Sequence, residues 1–120
     1  MRNAAITALA LALLATACGD KLDPDQPPTC DPALPVSYAQ EVGPVLESYC
    51  TRCHSSSAAN RRGAPEGVDF DTYAAAAAAA EMANQRVQAG TMPPSGASPR
   101  PDARARCLLQ AWVDQGLPEN

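Results

Sequence analysis

Histidine occurs once, at position 54, so no catalytic constellation that needs a second imidazole can be built from this chain. No two carboxylates stand at a defined catalytic spacing. No stretch alternates polar and apolar residues for long enough to make a strand, and there is no internal repeat. Beyond residue 17 there is no isoleucine, one phenylalanine and one tryptophan, with six leucines and six valines. That inventory makes a thin core, and domains this small often need a staple or a cofactor to be stable. Basic residues are also few, at 9 against 13 acidic, a formal −4. Leaving out Arg2 gives 8 against 13, a formal −5. That balance argues against nucleic acid, which wants a basic face. The acids are scattered and read either as a solvated surface or as a face for a basic partner.

One apolar stretch, Ala4 to Ala15, carries Leu9, Leu11, Leu13 and Leu14. It is too short and too rich in alanine to span a bilayer, which takes about 20 apolar residues. Arg2 precedes it, and the small residues Ala15-Thr16-Ala17 lead into Cys18. A basic start, an apolar centre and a small-residue cleavage site make residues 1–17 an export signal. Thr16-Ala17-Cys18 resembles the lipobox of bacterial lipoproteins, with Ala15 where leucine is usual. The resemblance implies that Cys18 becomes an acylated first residue. It implies a protein anchored by lipid to the periplasmic side of a membrane, with Gly19-Asp20 favouring the outer one. The alternative is an ordinary cleaved signal that contains a cysteine. Residues 18–35 hold five prolines and four aspartates, which fits an extended tether rather than a helix.

The folded domain is expected over residues 36–118. Ser37 is a good N-cap, and Val42, Val45, Leu46 and Tyr49 then fall on one helical face. Pro44 either kinks this helix or marks its true first turn. Residues 55–70 are polar with glycine and proline, and read as a loop. Asp71 or Thr72 caps a second helix that runs through Ala74–Ala80 to Ala89 and stops at Gly90. Residues 91–101 form a second loop around Met92. A last helix starts near Asp102 and ends at Gly116, with Ala105, Leu108, Leu109, Trp112 and Val113 on one face.

Residues 50–54 read Cys-Thr-Arg-Cys-His, the attachment signature of c-type haem. Two thiols three residues apart on one turn can meet the two vinyl groups of one porphyrin edge. The next residue then turns an imidazole toward the iron. Cys50 and Cys53 are therefore the candidate thioether residues and His54 the candidate proximal ligand of haem c. A redox dithiol would need a strand–helix setting that this chain lacks. A zinc site would need four ligands, and neither Cys30 nor Cys107 has a partner at ligand spacing.

The sixth ligand must come from another residue. Met82 lies mid-helix among alanines, where methionine is usually packing. Met92 lies in Gly90-Thr91-Met92-Pro93-Pro94, where prolines fix the backbone at low entropic cost. Met92 is the preferred axial ligand.

The order of these features resembles a class I cytochrome c over residues 36–118. The segments that carry the likeness are Val42-Gly-Pro-Val-Leu, the haem motif, Gly67-Val-Asp-Phe-Asp-Thr-Tyr, Met92-Pro-Pro and Trp112-Val-Asp-Gln-Gly-Leu-Pro. The resemblance implies an all-α fold wrapped round one haem, with first and last helices crossing near Tyr49 and Trp112. It implies a monomeric one-electron carrier that meets redox partner proteins, and no enzyme. Arg61 and Arg62 are either solvated loop charges or partners for propionates. One rival is a haem protein with an open iron, peroxidase-like or gas-binding, which requires that Met92 not bind. Another is an interaction module without haem, in which the thiols form a structural cross-link.

With Cys18 assigned to lipid and two cysteines to haem, Cys30 and Cys107 remain. Cys107 is about 200° round the last helix from Ala105, on its outward face. In an oxidising compartment two spare thiols tend to pair, so a Cys30–Cys107 disulfide is expected. An intermolecular bridge or free thiols are the alternatives.

Overall fold

A computed structural model describes residues 30–120. The expected signal, Cys18 and the tether as far as Thr29 lie outside the described residues. Among the described residues every regular element is helical. The chain is all-α, with helices α1 (Gly43–Tyr49), α2 (Tyr73–Gln88) and α3 (Ala103–Asp114). No helix among them is long and apolar enough to cross a membrane.

The first helix does not begin as an α-helix. Ser37 caps it as expected, its hydroxyl accepting from the Gln40 N–H at 3.3 Å. The Glu41 carboxylate accepts in return from the Ser37 N–H at 2.8 Å. Tyr38–Val42 then forms a π-helical turn, in which Val42 N–H reaches the Ser37 carbonyl. The reason sits at Gly43 and Pro44. Pro44 has no N–H to give and takes the first turn of α1, where none is needed. Gly43 lets the wide turn close, since a Cβ there would lie 2.9 Å from the Tyr38 carbonyl oxygen.

The other two helices follow their sequence signals. Thr72 caps α2, accepting from Ala75 N–H at 3.3 Å, and Gly90 stops it with φ of 73°. Asp102 caps α3, accepting from Ala105 N–H at 2.7 Å. Helix α2 buries Ala76, Ala80, Asn84 and Val87, a narrow stripe that lets it lie close to α3. Asn84 is satisfied there: it donates to Gln110 Oε1 at 2.9 Å and accepts from Gln88 Nε2 at 2.9 Å.

The core holds twelve buried apolar residues, four of them alanine. Its centre is Trp112, fully buried, with the rings of Tyr38 and Tyr73 at 6.1 and 6.5 Å. Tyr49, at the end of α1, is half-buried and lines a cavity. Short loops are fastened to this centre by side-chain donors. Trp112 Nε1 donates to the Pro118 carbonyl at 2.9 Å, and the Tyr73 hydroxyl to that of Leu117 at 2.8 Å.

Packing reaches up the chain beyond Val36. Cys30 is joined to Cys107 by a disulfide with a Cα–Cα distance of 5.9 Å. Gln115 Nε2 donates to the carbonyls of Pro32 and Leu34, and its Oε1 accepts from Val36 N–H. Cys107 is half-buried, because the segment from Cys30 covers that side of α3.

The bridge spans a sequence separation of 77 residues, for which the chain-entropy relation gives about 4.5 kcal/mol as a ceiling. Cys107→Ser, or reduction, is expected to lower unfolding free energy by about 2–4 kcal/mol in denaturant titration. A non-reduced digest is expected to yield a peptide pair joining Cys30 to Cys107. An unchanged midpoint and full alkylation without reductant would contradict the bridge.

Candidate functional site

Helix α1 ends at Tyr49, and Cys50 is its C-cap. The chain then turns tightly: Cys53 and His54 N–H groups both donate to the Cys50 carbonyl, at 3.1 and 2.9 Å. This turn places Cys50, Cys53 and His54 together on the wall of a cavity of about 750 Å³. Binding cavities for small molecules and cofactors usually measure about 300–1,000 Å³.

Four segments build the walls. The haem-type motif and the end of α1 supply Tyr49, Cys50, Cys53 and His54. The 55–70 loop supplies Val68 and Phe70, and α2 supplies Ala79, Met82, Ala83 and Val87. The last wall is the loop of Met92, Pro93 and Pro94. The alanine run thus has two tasks on two faces of α2. Ala76 and Ala80 pack inward against the core, while Ala79 and Ala83 leave space in the cavity. Leucines at those last two positions would intrude into it.

His54 is oriented by its neighbours. Its Nδ1 lies 2.9 Å from the Val68 carbonyl oxygen. A carbonyl only accepts, so Nδ1 carries a proton, which in the neutral imidazole leaves the lone pair on Nε2. This is how a metal-ligating imidazole is commonly held from behind. Phe70 packs edge-on against the ring at 5.4 Å, and its N–H donates to the His54 carbonyl at 2.9 Å. The 55–70 segment is therefore a loop whose two ends are tied at His54, the form of a compact surface loop.

Arg61 secures that loop from inside. Read from sequence as a solvated charge or a propionate partner, it is largely buried. It pairs with Asp69 at 2.7 Å and donates to the carbonyls of Ser55, Ala64 and Pro65. A long loop with few backbone partners leaves carbonyls that one guanidinium can collect. Arg62 is exposed and, with Arg52 and Arg86, also reaches the cavity wall. Among the described residues no aspartate or glutamate lines the cavity.

Both candidate methionines face this space. Met82, expected as packing, is 46% exposed, because it falls off the Ala76–Ala80–Val87 stripe of α2. Met92 is half-buried in its loop. Sequence reasoning missed Phe70, Val68 and the cavity-lining alanines as site residues. The Val68-Asp-Phe70 apolar pair inside a polar loop is the signal that marks the first two.

Cys50 and Cys53 are both unbonded, whereas Cys30 and Cys107 are joined to each other. That bridge removes the two thiols a zinc site would need. A redox dithiol works through a thiolate, which a helix N-terminus or a neighbouring cation favours. Cys50 instead stands at a helix C-terminus, the negative end of the helix dipole. Burial, with Cys53 nearby, pushes its thiol up to about 11.

Comparison with protein families, with curated protein sequences and with solved structures finds no match to this chain.

In chain expressed without haem attachment, alkylation of Cys50 is expected to rise about tenfold per pH unit above pH 8. The rise should level off at about pH 11. Site-resolved mass spectrometry reads the rate. A plateau near the ordinary thiol value of about 8.5 would contradict the buried, thiolate-disfavouring setting.

Proposed function

We propose that this chain is an exported mono-haem c-type cytochrome that carries single electrons at a membrane surface. The observation that carries the reading is the convergence, on one cavity, of two unbonded thiols, an imidazole with Nε2 free, and a loop thioether. A haem bound there supplies a one-electron Fe(II)/Fe(III) couple.

The residues present fit that group. Cys50 and Cys53 would hold the porphyrin by thioethers, and His54 would offer Nε2 to the iron. Val68, Phe70, Val87 and the small alanines offer an apolar slot. Arg62 and Arg86 at the wall suit the carboxylate edge of a porphyrin. Met92 is preferred to Met82 as axial ligand, because it is the more buried of the two and sits on a fastened loop. If His54 and Met92 both hold the iron, a bound haem would supply electron exchange and offer no place to a substrate, which favours a carrier over an open-iron enzyme or sensor.

The Cys30–Cys107 disulfide supports export, since such bonds persist in oxidising compartments. The lipobox-like Thr16-Ala17-Cys18 supports a lipid anchor, with the following residues as tether and redox proteins as partners.

Protein exported in a host competent for haem attachment is expected to give a c-type pyridine haemochrome spectrum, one haem per chain. The haem should remain after acid–acetone extraction, and its complete extraction would refute covalent attachment. The ferric protein should show the weak near-infrared band of methionine–iron ligation. Met92→Ala is expected to abolish it and to lower the reduction potential, while Met82→Ala keeps both. Retention of the band in Met92→Ala would overturn the ligand assignment.

Labelled fatty acid is expected in wild-type protein and absent from Cys18→Ser. Wild-type protein recovered unlabelled from the soluble periplasm would contradict the anchor.

A further inference from the structure

The loop that carries Met92 has little backbone bonding of its own. Pro93, Pro94, Pro99 and Pro101 have no N–H to donate. Thr91 and Met92 N–H groups donate to one carbonyl, that of Arg86 at the end of α2, at 3.0 and 3.2 Å. What closes the loop is Arg100. Its Nη1 donates to the carbonyls of Pro93 at 2.6 Å and Pro94 at 2.9 Å. Its Nη2 donates to the Gly90 carbonyl at 3.0 Å. One guanidinium therefore gathers three carbonyls that flank Met92 on both sides. Arg52, from between the two motif cysteines, adds a tie to the Ser98 carbonyl at 3.2 Å.

We propose that Arg100 is the positioning residue for the Met92 thioether, holding its loop closed over the cavity so that sulfur remains at the iron. The proposal rests on the reading of Met92 as axial ligand. Arg100 does not itself line the cavity and, on that reading, does not touch the iron; it acts from behind the wall, through the carbonyls of Gly90, Pro93 and Pro94. The planar fork reaches these three carbonyls from two nitrogens held at a fixed spacing, whereas the three N–H groups of a lysine share one nitrogen. Lysine has one ammonium and can serve fewer of them. The loop's hold on the sulfur should therefore weaken in graded fashion from arginine to lysine to alanine.

The experiment is a titration of ferric holoprotein with imidazole, which competes with methionine for iron. Wild type, Arg100→Lys, Arg100→Ala, Met92→Ala and the charge control Arg104→Ala are compared. Imidazole is expected to bind Arg100→Ala at least about tenfold more tightly than wild type, from the loss of charge-assisted hydrogen bonds. Arg100→Lys should fall between them, and Arg104→Ala should match wild type. The near-infrared band should weaken in the same order, while the denaturant midpoint of the Arg100 variants stays near wild type. Wild-type affinity and band in both Arg100 variants, with the band lost in Met92→Ala, would overturn the role of Arg100 and leave Met92 ligation standing. A band that survives Met92→Ala would overturn both. If Arg100→Ala yields too little holoprotein, Arg100→Lys alone decides, by a tightened or an unchanged imidazole affinity.

Discussion

The bond from His54 Nδ1 to the Val68 carbonyl is the contact on which the site depends. It fixes the tautomer, the ring plane and the direction of the free nitrogen in one step. Both of its ends need support. His54 is held by the tight turn after α1, and α1 is positioned by the π-helical turn that Gly43 and Pro44 impose. Val68 sits in a loop that would be loose without Arg61. That guanidinium bonds to the loop at both ends and pairs with Asp69 at 2.7 Å. The imidazole is thus aimed by backbone and loop geometry more than by core packing.

The same device recurs across the molecule: a side-chain donor reaches a loop carbonyl that no helix satisfies. Trp112 and Tyr73 fasten the C-terminal segment, Gln115 fastens residues 32–34, Arg61 the histidine loop and Arg100 the methionine loop. The physical cause is composition. The buried apolar set is small and four of its twelve members are alanine, so packing alone secures little chain. Each charged donor on an otherwise unpaired carbonyl contributes on the order of 1–2 kcal/mol at best, and less where exposed. The disulfide adds a covalent tie. On the proposed reading, a covalently held porphyrin would fill the cavity and supply the apolar surface that the chain lacks.

Helices were the legible part of the sequence. The Ser37, Thr72 and Asp102 caps and the Gly90 stop are local signals, and local hydrogen bonds realise them. The Leu108, Leu109 and Trp112 face is equally local, since its period alone marks it. The π-helical start was not legible, because proline near a helix N-terminus signals a boundary but not its backbone form. Arg61 and Arg100 were opaque for another reason. Nothing in a sequence tells which carbonyls a long loop will leave unpaired, so a structural guanidinium looks like a surface charge. Met82 and Met92 differ in what surrounds them, but the cavity borders both, so sequence context could rank them without separating them.

The central claim is that residues 50–54 hold a porphyrin covalently, and intact mass with peptide mapping tests it most directly. Protein exported by a host with haem-attachment machinery should be heavier than its polypeptide and lipid by one haem. That mass should map to the single peptide containing both Cys50 and Cys53, with neither thiol free to alkylate. A polypeptide carrying no such mass, with both of those thiols alkylated in full, would contradict the account.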